Sequence, residues 1–598
     1  MSEWEFGPPD IEDFFRYANI TAFSVSDDEQ SIAVATNLGG TFDLWGLTIG
    51  IHYPHQLSHM GQMIHDVHYD PAGRYILFSA DHDGDENTQM YLLPPQGGTA
   101  KILREAPSHK QLILHVSEDG NRLYYASDRE NPSFFNNYRL NLETGEEELL
   151  VKGEGGATYI AQVSPNERVF VVLKLFANTF IAGFIVQDGI WHAIVPNPQT
   201  PHVVYGAEFI DDGHLYVTTN YEREFSYLAK YDLATQQFSP VAQIEGQDLA
   251  DLKWDKERQR LYVLAHAGVE DRFYVMDLTV NNPSLQPIDL PVSLVTSWTV
   301  ARSGTVYVMG QSEIMPNNLF RYTPGSPWTP ITDNRSMGID PNTAVHAEVV
   351  HYPSFDGTII EALWFSPPAE RRNGYTIIWP HGGPQYAERR QFRSIVQYFV
   401  HEGYQFFAPN FRGSTGYGKT FTTLVEGDWG EGPRKDMVSG IEWLFRMNMA
   451  QKDKLFLMGG SYGGYMSLLL HGRHPEYFKA VVDIFGPSNL FTFHDSVPES
   501  WKPVMDIFLG NPVTQAEKFR EDSPITYLDA MTRPMLVIQG ANDPRVVKQE
   551  SDQLVEALRA RGRDIEYMVL EDEGHGFSKK ANEIAVYRKI AEFFRQHQ

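Results

Sequence analysis

The sequence has no cysteine, which excludes disulfides, thiolate metal sites and a cysteine nucleophile. Positive charge is scarce as well: 49 Lys and Arg stand against 77 Asp and Glu, a formal net charge of -28. A surface tracking nucleic-acid phosphates would have to work against that field, so no nucleic acid is expected as a partner. Long apolar runs are also missing. The greasiest stretch, VVLKLFANTFIAGFIV, is broken by Lys174 and Asn178 and falls short of the roughly 20 residues of a membrane helix. The opening residues, MSEWEFGPPDIEDFFRY, lack both a basic n-region and an apolar h-region, so no secretory signal is expected. These absences together point to a cytoplasmic protein without a membrane partner.

What is present is length and aromatic content. A chain of 598 residues exceeds one core and suggests two large domains. Aromatic residues make up 13% of it, which favours β-rich cores over disorder.

A short polar turn between two strand-like segments recurs at Ser26, Asp70, Ser117, Ser164, Ile210, Asp255 and Ala301. The spacing is about 46 residues, in the range of four-stranded propeller blades. Seven turns predict seven blades, against a large β-sandwich, which needs no such fixed period. Ahead of them, PDIEDFFRYA places Ile11, Phe14, Phe15 and Ala18 on one face of a predicted short helix. The repeat stops near Thr332. The turn-rich DNRSMGIDPNT (residues 333–343) then reads as a connection.

Beyond it, strand patterns such as YTIIWP, YQFFAPN, KLFLMG, KAVVDIFG, MLVIQG and IEYMVL alternate with helix-like stretches. That rhythm predicts a doubly wound, mainly parallel sheet, the α/β-hydrolase class. The expected domains are an N-terminal extension with a short helix (1–20), a seven-bladed β-propeller (21–335) and an α/β-hydrolase catalytic domain (336–598).

Gly459-Gly460-Ser461-Tyr462-Gly463 satisfies G-x-S-x-G between a predicted strand and a predicted helix. This is the context of a nucleophile elbow, whose serine sits on a sharp turn that needs small neighbours. Asp543 follows the strand MLVIQG and His575 follows IEYMVL, giving the chain order Ser, Asp, His. In those roles His575 would take the Ser461 proton and return it to the leaving group, while Asp543 would fix the imidazole tautomer. Activity should therefore fall on acidification as His575 takes a proton. His474 reads as the end of a helix, and His401, His471, His494 and His597 lack an equivalent loop after a late strand. The loop HGGPQY offers an oxyanion donor, and the expected pair is the N–H of Gly383 with that of Tyr462; Pro384 has none to give. His381 reads as a brace for this loop.

GGSYGGY, ANDPRV, EDEGHGF, HGGPQY and NFRGSTGYG together resemble the prolyl oligopeptidase family of serine peptidases over nearly the whole chain. HGGP and DHDGDEN look most like its acylaminoacyl peptidase branch. The resemblance implies short, N-acylated or free peptides as substrates and self-association; no cofactor and no metal are expected. It also assigns Arg545 to the carbonyl of the substrate residue preceding the cleaved one, an acceptor that suits a guanidinium fork. Dipeptidyl peptidases of the family hold the free amino terminus with adjacent glutamates, whereas NYEREFSYL offers only the separated Glu222 and Glu224. In DHDGDEN, Asp81, Asp83 and Asp85 alternate like the start of a calcium loop, but Glu86 replaces the required glycine and Leu92 the closing acid. A propeller turn is the expectation there. Three functions stay open: peptidase, dipeptidyl or acylaminoacyl in type; esterase with the same three residues; and a non-enzymatic propeller interaction protein.

Overall fold

The computed structural model describes residues 7–336 and 339–598, the side chain of His52 excepted. The first six residues of the expected extension, and Met337 and Gly338 of the expected connection, lie outside it. Seven consecutive four-stranded antiparallel sheets span residues 20–56, 64–104, 111–151, 157–193, 204–242, 248–288 and 294–330. Each polar turn joins the first two strands of its blade. The second strands, such as Arg122–Ser127 and His214–Thr219, are buried almost throughout because neighbouring blades cover both faces. An outer strand such as Gln237–Ala242 is largely exposed.

The turns also knit the ring. Arg74 donates to Asn121 Oδ1 (2.7 Å), Arg122 to Glu167 Oε1 (2.7 Å), and Tyr307 to Glu29 Oε2 (3.0 Å). The last of these joins the seventh blade to the first, where Ile20, Phe23 and Val34 pack on Tyr307, Met309 and Leu319. Among the described residues no strand is exchanged between the end blades, and apolar burial and side-chain hydrogen bonds close the ring.

The second domain is one eight-stranded sheet: β1 (Glu348–Pro353), β2 (Ile359–Phe365), β3 (Thr376–Ile378), β4 (Gln405–Pro409), β5 (Leu455–Gly460), β6 (Phe478–Ile484), β7 (Met535–Gly540) and β8 (Ile565–Leu570). Its order is β1-β2-β4-β3-β5-β6-β7-β8. Pairing is antiparallel at β1/β2 and β2/β4 and parallel elsewhere. Alternate residues of each strand feed opposite cores. Leu455, Leu457 and Val481 join one cluster, while Phe456, Met458 and Val482 join the other.

The N-terminal helix, α1, covers only Ile11–Phe14, so Ala18 lies beyond it rather than on its face. Ile11, Phe14 and Phe15 are buried against the second domain, with Phe14 edge-on to Tyr398 and Phe15 stacked on Tyr587. Ala18 instead exchanges hydrogen bonds with Asn334, at the other end of the propeller (3.0 and 2.6 Å). The stretch around Lys174 and Asn178 forms a hairpin of the fourth blade, Val169–Ala177 with Phe180–Gln187. Among the described residues, no helix is long and apolar enough to cross a membrane.

Candidate active site

Ser461 stands between β5 and helix α2 (Tyr462–Arg473), with φ 57° and ψ -123°. A non-glycine residue there costs about 1–3 kcal/mol, which the surroundings must impose. They do so by closeness. A Cβ on Gly459 would lie 2.4 Å from the Gly463 carbonyl oxygen, and one on Gly463 would lie 2.2 Å from that of Pro380. The turn can be this tight only with glycine at both places.

His575 Nε2 is 2.9 Å from Ser461 Oγ, and Asp543 Oδ2 accepts from His575 Nδ1 at 2.6 Å. The Asp543 side chain is fully buried, and its other oxygen accepts the N–H groups of Arg545 and Val546, both at 2.9 Å. The loop carrying His575 is held by Glu573. Its carboxylate accepts from Ser578 N (2.9 Å), Ser578 Oγ (2.7 Å), Lys579 N (3.0 Å) and Asn582 Nδ2 (2.9 Å). The three side chains expected from the sequence thus meet in one hydrogen-bonded chain.

The amides of Gly383 and Tyr462 donate to no acceptor among the described residues, and both residues line the cavity beside Ser461. The Tyr462 N–H is also one of the unpaired donors at the start of α2, where the helix dipole favours negative charge. His381 lies under this loop. Its Nδ1–H donates to the Gly382 carbonyl (2.6 Å), Nε2 accepts from Ser414 Oγ (2.8 Å), and the ring stacks on Phe411 at 4.1 Å. Burial pushes His381 down to about 4, so near neutral pH it braces as an uncharged ring. NFRGSTGYG supports the same loop. Asn410 bonds Glu388 in both directions (2.7 and 3.0 Å), and Arg412 is clamped by the buried Asp436 (2.9 and 2.8 Å).

Arg545 borders the same cavity, and its Nε donates to Glu86 Oε1 of the second blade at 2.5 Å. Burial pushes the Glu86 carboxyl up, but Arg545 and Lys110 outweigh it and hold the group below its ordinary value. DHDGDEN is the loop between the second and third strands of that blade, and it touches the catalytic domain. Asp83 pairs with Lys579 (2.8 Å), and Gly84 lies so close to Gly574 that a Cβ would approach its nitrogen to 2.5 Å. The aspartates have separate partners: Asp81 faces His65 (3.3 Å), and Asp85 accepts the N–H of Asn87 (2.9 Å). Glu224 accepts from Thr420 N (2.6 Å) and Thr420 Oγ1 (2.8 Å), and Glu222 is exposed. Neither glutamate lines the cavity.

Above Ser461 is a cavity of about 900 Å³. Trp429, Phe493, Trp501, Val504, Met505 and Phe508 form an apolar end, and Ala157, Tyr159, Leu175 and Asn178 of the fourth blade roof it. Sequence reading missed these walls. Apart from Trp429, which lies between β4 and β5, the apolar end comes from the segment between β6 and β7, whose pattern is that of ordinary core. The roof residues carry no chemistry of their own, and only the turn at Asn178 hints at them.

A seven-bladed propeller over an α/β-hydrolase sheet, with serine, histidine and aspartate joined at the sheet's edge, defines a class of serine hydrolase with a covered site. Comparison narrows this class. Residues 390–598 match the prolyl oligopeptidase family, and residues 19–176 match the dipeptidyl peptidase IV N-terminal region. Residues 390–598 thus form a domain of the prolyl oligopeptidase family of serine peptidases. It is 28% identical over 555 residues to dipeptidyl aminopeptidase BIII of Pseudoxanthomonas mexicana, covering 87% of this chain and 78% of that one. Identity to the acylamino-acid-releasing enzyme of Arabidopsis thaliana is 24% over 249 residues, 40% of this chain and 32% of the relative. The fold matches a puromycin-hydrolyzing peptidase of Mycobacterium tuberculosis with a TM-score of 0.82 at 18% identity, over 98% of this chain and 95% of that one.

Proposed function

We propose that the protein hydrolyses short peptides near their amino terminus through an acyl-enzyme on Ser461, with acylaminoacyl-type release as the preferred reaction. The carrying observation is the unbroken hydrogen-bonded chain from Ser461 through His575 to Asp543, opening into a covered cavity. His575 accepts the hydroxyl proton as Ser461 Oγ attacks the scissile carbonyl. The Gly383 and Tyr462 amides receive the developing oxyanion, His575 passes the proton to the leaving amine, and water repeats the sequence on the ester. Arg545, which borders the cavity, would hold the carbonyl of the preceding residue. The apolar end beside Tyr462 suits a large hydrophobic side chain at the cleaved bond.

Acylaminoacyl release is supported by the acyl side of the cavity. The apolar end, the roof and Arg545 include no carboxylate that could hold a free ammonium, and Glu222 and Glu224 lie elsewhere. Dipeptidyl release is the second reading, favoured by the long match to dipeptidyl aminopeptidase BIII. Acetylated and unacetylated tri- to hexapeptides, with products identified by mass spectrometry, separate the two. Faster cleavage of the acetylated set, with one acylated residue released, supports the first. Exclusive release of unblocked dipeptides would replace it with the second. Ser461→Ala should abolish fluorophosphonate labelling and all cleavage, and retained turnover would end the mechanism.

A further inference from the structure

Glu583, in helix α3 (Lys580–Gln596), is the one carboxylate lining the catalytic cavity among the described residues. It has no hydrogen-bond or ion-pair partner of its own there. The nearby cations are committed elsewhere: Lys580 donates to the Tyr17 carbonyl, and Arg393 is gripped by both oxygens of Glu388 (2.8 and 3.0 Å). Glu573 is engaged in its loop, and the Tyr17 and Tyr587 phenols, both raised by burial first and by Glu583 second, stay protonated. Burial pushes the Glu583 carboxyl up to about 7. Lys580 attracts the carboxylate from nearby without pairing with it, and burial outweighs that attraction, so the ionised acid stays costly there and a ligand cation would offset that cost.

Its position indicates which part of a ligand would reach it. On the proposed peptidase reading, the departing amine must pass His575 Nε2. From that ring an aromatic wall leads away: Phe485 lies 4.6 Å from His575, Phe577 lies 5.9 Å from Phe485, and Tyr587 lies 6.1 Å from Phe577. Tyr587 follows Glu583 by four residues and so shares its helix face. The apolar end at Trp429 and the Arg545 loop belong to the acyl side. We propose that Glu583 selects the departing half of the substrate, binding the cationic side chain of a Lys or Arg that follows the cleaved bond. The aromatic wall would cover the methylene stem while the charged head meets the carboxylate.

The test compares kcat/KM for peptides of identical acyl side bearing Lys or norleucine at the first or second position after the cleaved bond. At one of them the native protein should prefer Lys by about tenfold, the size of one charge-assisted hydrogen bond. Glu583→Gln should bring that ratio near one, and Glu583→Lys should turn the preference toward Glu. A p-nitroanilide with the same acyl group has no residue beyond the bond, so Glu583→Gln should lower its cleavage by much less than it lowers that of the Lys peptide. The proposal fails if Glu583→Gln keeps the Lys preference, or if anilide and peptide rates fall together, which would put Glu583 on the acyl side or in folding. If the native protein cleaves neither substrate, the peptidase reading itself fails and this proposal with it.

Discussion

Arg545 and Glu86 join the two domains at the active site: the arginine lies two residues after Asp543, and the glutamate belongs to the second propeller blade. Only Nε is used in this bond, which leaves the terminal nitrogens of the fork for a substrate carbonyl. Removing the carboxylate should release the fork from its aim. Glu86→Gln is expected to raise KM for peptides by about five- to tenfold while changing kcat less, the size of a weakened charge-assisted contact. Arg545→Ala should do the same, and the double variant should be no worse than Arg545→Ala alone, because the two act as a unit. Steady-state kinetics on one acylated peptide check all three.

His381 bears on turnover without touching the proton path. Its hydrogen bonds to Gly382 and Ser414 and its stacking on Phe411 fix the loop that presents the Gly383 amide. His381→Leu should cut kcat by about 10- to 100-fold, less than deletion of an oxyanion donor outright, with KM nearly unchanged. Since burial already keeps His381 neutral down to about 4, the acidic limb of the pH–rate profile should not move. A displaced limb would give His381 a part in proton transfer.

The elbow glycines predict a steric effect. Gly463→Ala places a methyl 2.2 Å from the Pro380 carbonyl oxygen, and backbone on both sides leaves little room to yield. Overpacking of this kind costs about 1–3 kcal/mol. It should also shift the Tyr462 amide, so that both the unfolding midpoint and the rate of fluorophosphonate labelling fall. An unchanged labelling rate would show that the elbow absorbs the methyl.

Propeller and sheet were legible in the sequence because each is written as a period: polar turns about 46 residues apart, then strands alternating with helices. The three hydrogen-bonded side chains of the candidate site were legible for a related reason, since Ser461, Asp543 and His575 each follow a strand in a fixed chain order. Strand β1 was missed because EVVHYP (residues 348–353) follows the connecting segment with no helix before it. Glu583 and the Arg545–Glu86 contact were illegible for a physical reason. Their meaning lies in what surrounds them across some hundreds of residues of chain, and no local spacing records that. DHDGDEN gave a partial signal, being longer than a hairpin turn needs.

Asp483, at the end of β6, makes a prediction about stability. It lies fully buried near the elbow, where Oδ1 accepts the Gly486 N–H at 2.9 Å and Oδ2 has no partner. Burial pushes the carboxyl from 3.8 up to about 8, so the folded protein keeps this proton at neutral pH. An unfolded chain gives it up near 4. Between about 4 and 8 the folded state therefore binds more protons at this site, and the site's contribution to stability declines as pH rises through that window. Asp483→Asn removes the ionisation while keeping the Oδ1 acceptor. Its new amide lacks an acceptor and costs about 1–3 kcal/mol, but that cost is the same at every pH. Urea midpoints measured across the window should show the variant gaining on the native protein by a few kcal/mol as pH rises, at about 1.4 kcal/mol per pH unit at most. Parallel curves would mean that Asp483 is already ionised in the folded state.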